Sequence, residues 1–375
     1  MLPTKSDSRP IGEHRFGDGE PFALGVEEEL FLVEPATGVQ LNAGPRVSQE
    51  IAQPEVGHVA GEVHACQIEA ITGVCSNVGE AMGQLSELRE RVLATGVGLL
   101  GAATHPTADE GDGEISDADR YQLIGDLLGD ALATPVAAVH VHVGMPDPET
   151  AIRVFNGLRR HVPLLEALAA NSPFRHGRDT GLASGREITL RAWPRSGVPR
   201  EMHDFEDFRA HTDELTRIAR VPDYTFHWWK LRPHPWLGTV ELRALDVQAR
   251  PEHTAALVAA VHVLARLEAE ADPVPGPPPE LLDEASFSAG RSGITATLPD
   301  VDGVMRPVVE LLEALLDRAR PVARELDCAD ELESLRDLVE QGGGAGLQRM
   351  AFERGGIEAV LATTTTRPSS GDAGS

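Results

Sequence analysis

Acidic and imidazole side chains recur at alternate positions in short apolar stretches of this chain, a spacing that places them side by side on β-strands. In residues 22–33 a strand puts Glu27 and Glu29 on one face with Ala23 and Gly25. The other face carries Phe22, Leu24, Val26, Leu30 and Leu32. Carboxylates at i and i+2 sit about 6–7 Å apart at their Cα atoms. Groups that close repel and shift each other's titration unless a cation lies between them. Hard oxygen ligands of this kind suit Mg²⁺ or Mn²⁺, with phosphate commonly completing the shell.

Three further stretches extend the pattern. Gln67 and Glu69 share a face in residues 62–72, while Glu62 has the opposite parity and needs a bulge or bend to join them. His140 and His142 share a face opposite Val139, Val141 and Val143. Glu241 and Arg243 share a face with Thr239. If these segments are neighbours, one sheet face carries Glu27, Glu29, Glu69, His142, Glu241 and Arg243. Such a face reads as a polynuclear Mg²⁺ or Mn²⁺ site, with the arginine suited to a transferring phosphoryl group. Arg186, Arg191 and Arg232 add nearby cations. Plainer readings exist for each part. Glu27 and Glu29 could line an exposed strand, and His140 with His142 could bind zinc in a hydrolase. His140 alone reads as a packed residue. Glu28 points to the apolar side and reads as an ion pair or helix contact. Trp228 and Trp229 read as core, and His105 as the end of a strand.

The elements that must position these groups follow from periodicity. Strands are expected at 22–33, 62–73, 97–104, 136–145, 185–193, 225–232 and 238–247. Helices are expected at 79–95, 117–132, 148–170, 204–220, 251–271, 304–326, 329–340 and 347–362. Asp147 is a natural N-cap with Pro148 in the first turn, and Pro163 should kink that helix. Residues 272–279 form a Pro-rich turn, and Gly342, Gly343 and Gly344 a helix-breaking loop. Strands and helices do not alternate strictly, which favours an α+β fold with a largely antiparallel sheet over a doubly wound one. No GxGxxG follows the first strand. The chain divides into a flexible leader (1–20), a single domain (21–361) and a disordered tail (362–375).

The bulk composition narrows the partners. A formal net charge of −26 and a pI near 4.9 argue against nucleic acid or an anionic membrane. Lys5 and Lys230 are the only lysines, so a phosphate clamp must rely on arginine, metal or backbone N–H groups, and a P-loop is absent. Cys66, Cys75 and Cys328 form no CxxC pair. Scattered thiols of this kind fit a reducing compartment, and the expected location is cytoplasmic.

The motifs together resemble the glutamate–cysteine ligase type 2 family of carboxylate–amine ligases. The matching pieces are Leu-Gly-Val-Glu-Glu-Glu at 24–29, Gln-Ile-Glu-Ala-Ile-Thr at 67–72, Thr-His-Pro at 104–106 and His-Val-His-Val-Gly at 140–144. They continue with 170–174, 177–181, Thr-Val-Glu-Leu-Arg at 239–243 with Asp246, and a Gly-rich loop before Gln348 and Arg349. The resemblance spans roughly residues 22–362 and implies a glutamine-synthetase-like α+β fold. In it a curved, largely antiparallel sheet has helices on one face and the active site on its concave face. It implies ATP and two or three Mg²⁺ ions, with Glu27, Glu29, Glu69, His142, Glu241 and, less directly, Glu62 as metal ligands. Arg243, Arg186 and Arg232 would stabilise the phosphoryl group, and Arg243, Arg191 and Thr239 would meet the nucleotide. The implied reaction phosphorylates the γ-carboxylate of glutamate and lets an amine displace phosphate. A homodimer follows family habit. The chain departs from the family pattern at Gly185, where an aromatic is usual, and at Lys230, where an acid is usual. The 133–139 stretch lacks the usual Cys-Gly, and Arg191 stands one place from the usual second arginine. These departures lead to the expectation of an acceptor amine other than cysteine. The rival readings are an ATP-independent metal hydrolase using His140 and His142, and a nucleotide-binding protein without turnover.

Overall fold

Ten residues with alternating burial form β1 (Leu24–Val33), and the sheet is assembled around this strand. The computed structural model describes residues 11–51 and 54–368. After β1 come α1 (Gly44–Glu50), β2 (His58–Gly61), β3 (Gln67–Ile71), α2 (Val78–Leu93), β4 (Gly98–Leu100), α3 (Asp119–Leu128) and β5 (Ala138–Gly144). The middle of the chain holds α4 (Pro148–Arg159), α5 (Val162–Ala169), a small hairpin of β6 (Phe174–Arg175) and β7 (Arg178–Asp179), α6 (Gly185–Leu190) and α7 (Phe205–Ala219). It continues with β8 (Leu231–His234), β9 (Thr239–Asp246), α8 (Pro251–Glu270) and α9 (Pro279–Ser292). The last part contains a hairpin of β10 (Thr297–Pro299) and β11 (Met305–Pro307), then α10 (Val308–Glu325), α11 (Ala329–Glu333), α12 (Leu335–Glu340), α13 (Gly343–Thr364) and β12 (Thr365–Thr366).

The main sheet runs β12-β4-β1-β5-β9-β8, with β3 on β1 and β2 on β3. Every pairing in it is antiparallel. Glu27 is partnered by both Ile71 and His140, so β3 and β5 lie on opposite edges of β1. Leu24, Val26, Leu30 and Leu32 are buried on the face covered by α2 and α8. Helix α8 has buried residues around nearly its whole circumference, as a helix at the centre of a core must. Glu28 lies on this apolar face. Arg89 of α2 clamps it with a bidentate pair, Nε at 2.6 Å and Nη2 at 2.5 Å, as its parity indicated. The opposite face of the strands is left for chemistry.

Several elements differ from expectation. The segment at 185–193 is helix α6, not a strand. Ser184 Oγ accepts from Glu187 N at 3.1 Å, a Ser-x-x-Glu cap that outweighs the β-branched run Ile188–Thr189. The 225–232 segment opens as a short 3₁₀ turn capped by Asp223, and strand β8 begins only at Leu231. Pro163 does not kink one long helix. It sits in the first turn of α5, after α4 has ended at Arg159. Helix α9 follows the Pro-rich turn and was not anticipated.

The chain ends are also more ordered than expected where they are described. Ile11 and Phe16 are buried, Arg15 N donates to Pro235 O at 2.9 Å and Gly17 N to Met145 O at 3.0 Å, so the largely exposed 11–20 stretch is anchored at these points. Residue 362 falls inside α13, and Thr365–Thr366 pair with β4, which moves the start of any tail beyond them. Residues 1–10 of the expected leader and 369–375 of the expected tail lie outside the described residues.

Candidate active site

The sheet register brings the acidic segments together. Glu29 pairs with Glu69 across β1 and β3, Glu27 with His140 across β1 and β5, His142 with Glu241 across β5 and β9, and Glu241 with Arg232 across β9 and β8. A bulge between Val139 and Val141 sets two residues of β9 against one of β5. It rephases the strand, so Asp246 faces the same side as Glu241 despite its odd spacing. Glu62 is outside any strand. The turn between β2 and β3 swings its carboxylate next to Glu29 and Glu69, where it accepts from Val63 N at 2.6 Å. Glu27, Glu29, Glu62, Glu69 and Glu241, with His140, His142 and Arg232, line a cavity of about 700 Å³.

Three ligand sets within this cavity have donor atoms within 4.8 Å of one another: Glu27, Glu69 and His140; Glu27, His142 and Glu241; and Glu29, Glu62 and Glu69. The geometry of His142 is the most telling. Its Nδ1 is held by Thr239 Oγ1 at 2.9 Å. Its buried Nε2 faces Glu27 Oε1 at 3.3 Å and Glu241 Oε1 at 3.9 Å. A ring fixed through one nitrogen, with the other aimed between carboxylates, is the posture of a metal ligand with its supporting partner. His140 Nδ1 lies 3.1 Å from Glu27 Oε2, and its Nε2 lies 3.5 Å from Glu29 Oε1. The residues present therefore fit divalent cations, and the excess of carboxylates over imidazoles fits a hard one.

The electrostatics split the site in two. Burial pushes Glu69 well above the usual carboxylate range, and Glu27, Glu62 and Glu29 add to it. Burial and Glu62 push Glu29 up to about 8, and burial raises Glu62 as well. Burial acts to raise Glu27 too, but the imidazoles of His142 and His140 outweigh it and hold the group well below its usual range. Glu241 is likewise held well down, because Arg232 and Arg243 outweigh its burial. His140 falls to about 4 through burial and the Arg243 charge. His142 is raised, since Glu27 and Glu241 outweigh its burial. One half is thus a balanced ion network. The other half, Glu29, Glu62 and Glu69, has crowded carboxylates that only a proton or an added cation can relieve.

The arginines fall into distinct places. Arg232 donates to Glu241 through Nε at 2.6 Å and Nη2 at 3.3 Å, and its Nη1 reaches the Thr225 and His227 carbonyls. Arg243 pairs with the same carboxylate. Arg186 lines the cavity and donates to the Arg243 carbonyl at 2.8 Å and the Ala244 carbonyl at 3.2 Å. Two residues expected to meet the nucleotide stand apart from the cavity lining. Arg191 is absent from the cavity lining. As the C-cap of α6 it turns outward, donates to Asp283 O at 2.7 Å and lies over the Phe287 ring. Thr239 does not line the cavity either, and its hydroxyl is spent on His142.

Other cavity residues, Lys230 apart, were not singled out from the sequence. His234 packs edge-on to His142 and meets the Tyr224 hydroxyl. Helix α3 covers one side with Arg120 and Tyr121, the latter donating to Gly61 O at 2.7 Å. Glu166, Glu187 and Lys230 form a buried ion cluster in the wall. His234, Arg120, Tyr121 and Glu166 fall outside the expected strands, so no alternation marked them.

Comparison with known proteins follows the same lines. The model of glutamate–cysteine ligase family 2 matches residues 23–363. A Rubrobacter xylanophilus protein provisionally named glutamate–cysteine ligase 2-3 is 40% identical over 362 residues, covering 93% of this chain and 98% of its own length. A Mycolicibacterium smegmatis protein provisionally named glutamate–cysteine ligase 2-1 is 35% identical over 341 residues, covering 88% of this chain and 90% of its own. Among solved structures, the Francisella tularensis glutamate–cysteine ligase in complex with AMP superposes with a TM-score of 0.69 at 13% identity, covering 92% of this chain and 88% of that one. A bifunctional glutathione synthetase from Pasteurella multocida gives 0.62 at 15% identity, covering 92% of this chain and 51% of that one. At such identities these two likenesses speak to the fold: an α+β architecture around an antiparallel sheet.

Proposed function

The chain belongs to glutamate–cysteine ligase family 2 and is a ligase forming carbon–nitrogen bonds, and on that premise we propose an ATP-dependent carboxylate–amine ligase that makes γ-glutamyl products. The observation that carries the proposal is the convergence of Glu27, Glu29, Glu62, Glu69, His142 and Glu241 on one cavity, with His142 Nε2 aimed between Glu27 and Glu241. The reaction is transfer of the γ-phosphoryl of ATP to the γ-carboxylate of glutamate, then attack of an amine with loss of phosphate. Bound Mg²⁺ would neutralise the phosphate oxygens and polarise the transferring group.

The chain's own residues supply positioning and charge. Glu27, His142 and Glu241 would hold one cation, and Glu29, Glu62 and Glu69 another. Arg243 and Arg232, now locked on Glu241, present positive charge beside the same carboxylate, where developing charge on a phosphoryl group would be stabilised. Arg186 adds a third guanidinium, with its buried Nε unpartnered. No protein nucleophile is required. Cys66, Cys75 and Cys328 are buried free thiols, and burial pushes Cys66 and Cys328 up to about 12. No helix among the described residues is long and apolar enough to cross a membrane.

The acceptor is proposed to be an amine other than cysteine. A Cβ at Gly185 would stand 2.9 Å from Ser172 O, which leaves no space for a side chain at the start of α6, and Lys230 brings a cation to the wall nearby. The test is mass spectrometry of products from ATP, Mg²⁺, glutamate and a mixed amine pool, with ADP release followed in parallel. A γ-glutamyl product formed with stoichiometric ADP supports the reading. Turnover without ATP, or no ADP with any acceptor, refutes it. A clear best rate with cysteine refutes the acceptor assignment alone.

A further inference from the structure

Lys230 is the one lysine among the described residues, and it is buried. Its Nζ lies 2.6 Å from Glu166 Oε1 on α5 and 2.7 Å from Glu187 Oε2 on α6. Both partners are also buried and line the cavity with it, at a distance in sequence from the carboxylate–imidazole cluster. The backbone of Lys230 is fixed as firmly as its side chain. Its carbonyl accepts from Arg243 N at 2.8 Å, and its N–H donates to Gly197 O at 3.2 Å. Lys230 thus reaches from the sheet strand pair that carries Arg243 to the helix that carries Arg186.

Arg186 and Glu187 are adjacent in the first turn of α6, a helix of only six residues. So short a helix has little stability of its own and takes its position from tertiary contacts. On its outer side, Gly290 of α9 packs so closely that a Cβ there would come within 2.7 Å of Glu187 Cγ. On its inner side the ammonium of Lys230 draws Glu187 toward β8. Arg186 is then laid across the β9 bulge, with its two terminal nitrogens on the Arg243 and Ala244 carbonyls.

Resting on the ligase reading above, we propose that Lys230 is a positioning residue that acts through Glu187 to set the Arg186 guanidinium over the phosphoryl-transfer site. A buried ammonium between two carboxylates is a costly arrangement for stability alone, since a well-packed apolar side chain often does as well. Its use here is directional: it pins one turn of helix to one strand register. Displacement of a charge-stabilising group by about 1 Å can cost about 10²-fold in rate.

The test is a double-mutant cycle on the full-length chain. Lys230→Met is expected to lower kcat for ADP release by about 10²-fold with little change in KM for ATP. In an Arg186→Ala background, followed with enzyme in excess over ATP, the same change should lower the rate no further. Equal fold losses in both backgrounds would overturn the proposal. Amide hydrogen exchange provides a readout independent of turnover: residues 185–190 should exchange faster in Lys230→Met. Unchanged exchange there, with the protein folded, would also overturn it. Lys230→Met/Glu166→Gln/Glu187→Gln guards against misfolding, because it removes both carboxylates left uncompensated along with the tether; its melting temperature should recover while kcat stays low. Recovery of both would show a stabilising role only and overturn the inference. If the wild-type protein released no ADP, the ligase reading would fail and the exchange experiment would still decide the role of Lys230.

Discussion

Removal or addition of Mg²⁺ across pH probes the half of the site where the arginine charge does not offset burial and crowding. Glu29 stands at about 8 against an ordinary 4.5 because burial and Glu62 penalise its charge. A shift of that size corresponds to about 5 kcal/mol against ionisation. The sign follows from linkage. A carboxyl whose folded pKa lies above its unfolded value contributes stability at acid pH and loses it as pH rises through the folded value. The metal-free protein should therefore melt at lower temperature at pH 8 than at pH 6, with the decline setting in above the ordinary 4.5 and levelling off above about 8. A dication in the Glu29–Glu62–Glu69 set must displace the proton. At pH 7 Glu29 holds one in about nine molecules of ten, so binding releases close to one proton from this residue, and more if Glu69 also ionises. Apparent Mg²⁺ affinity should accordingly rise about 50-fold between pH 6 and pH 8. Titration calorimetry in two buffers of different ionisation enthalpy measures both quantities. An affinity flat over that range, or binding without proton release at pH 7, would refute the assignment of these three carboxylates to a cation.

Other perturbations separate chemistry from scaffold. Glu27→Gln should abolish ADP formation while circular dichroism stays native, because Glu27 belongs to two of the three ligand sets; wild-type-like turnover would remove it from the site. Thr239→Val should weaken Mg²⁺ binding about 10- to 100-fold by freeing the His142 ring, with the melting temperature nearly unchanged; unaltered affinity would deny the hydroxyl its orienting role. Glu28→Gln leaves Arg89 without its carboxylate on the helix-covered face and should cost about 3–5 kcal/mol in denaturant unfolding, while the protein that remains folded keeps its kcat. A selective loss of kcat would place Glu28 on the chemical side of the sheet.

Side-chain parity accounts for how much of this was legible in the chain itself. On a strand, residues two apart share a face whatever the fold, so Glu27 with Glu29, His140 with His142 and Glu241 with Arg243 were paired before any contact was known. The same parity set Glu28 on the apolar side, where Arg89 holds it. The Ser184-x-x-Glu187 cap was also present in the sequence, but the β-branched residues after it favoured a strand, and α6 was missed.

Tertiary structure decided everything that parity does not reach. Glu62 enters the site through a turn whose direction no local rule states. The β9 bulge that brings Asp246 round exists only as a mismatch between two strands, and neither strand carries it alone. Arg191 leaves the cavity because helix α6 rotates successive side chains by about 100° where a strand would alternate them. Lys230 finds Glu166 and Glu187 across three separate elements. Local spacing thus determined which groups travel together, since backbone geometry is short-ranged. Which of them meet was left to packing, because contacts between distant segments depend on register, turns and the shape of the core.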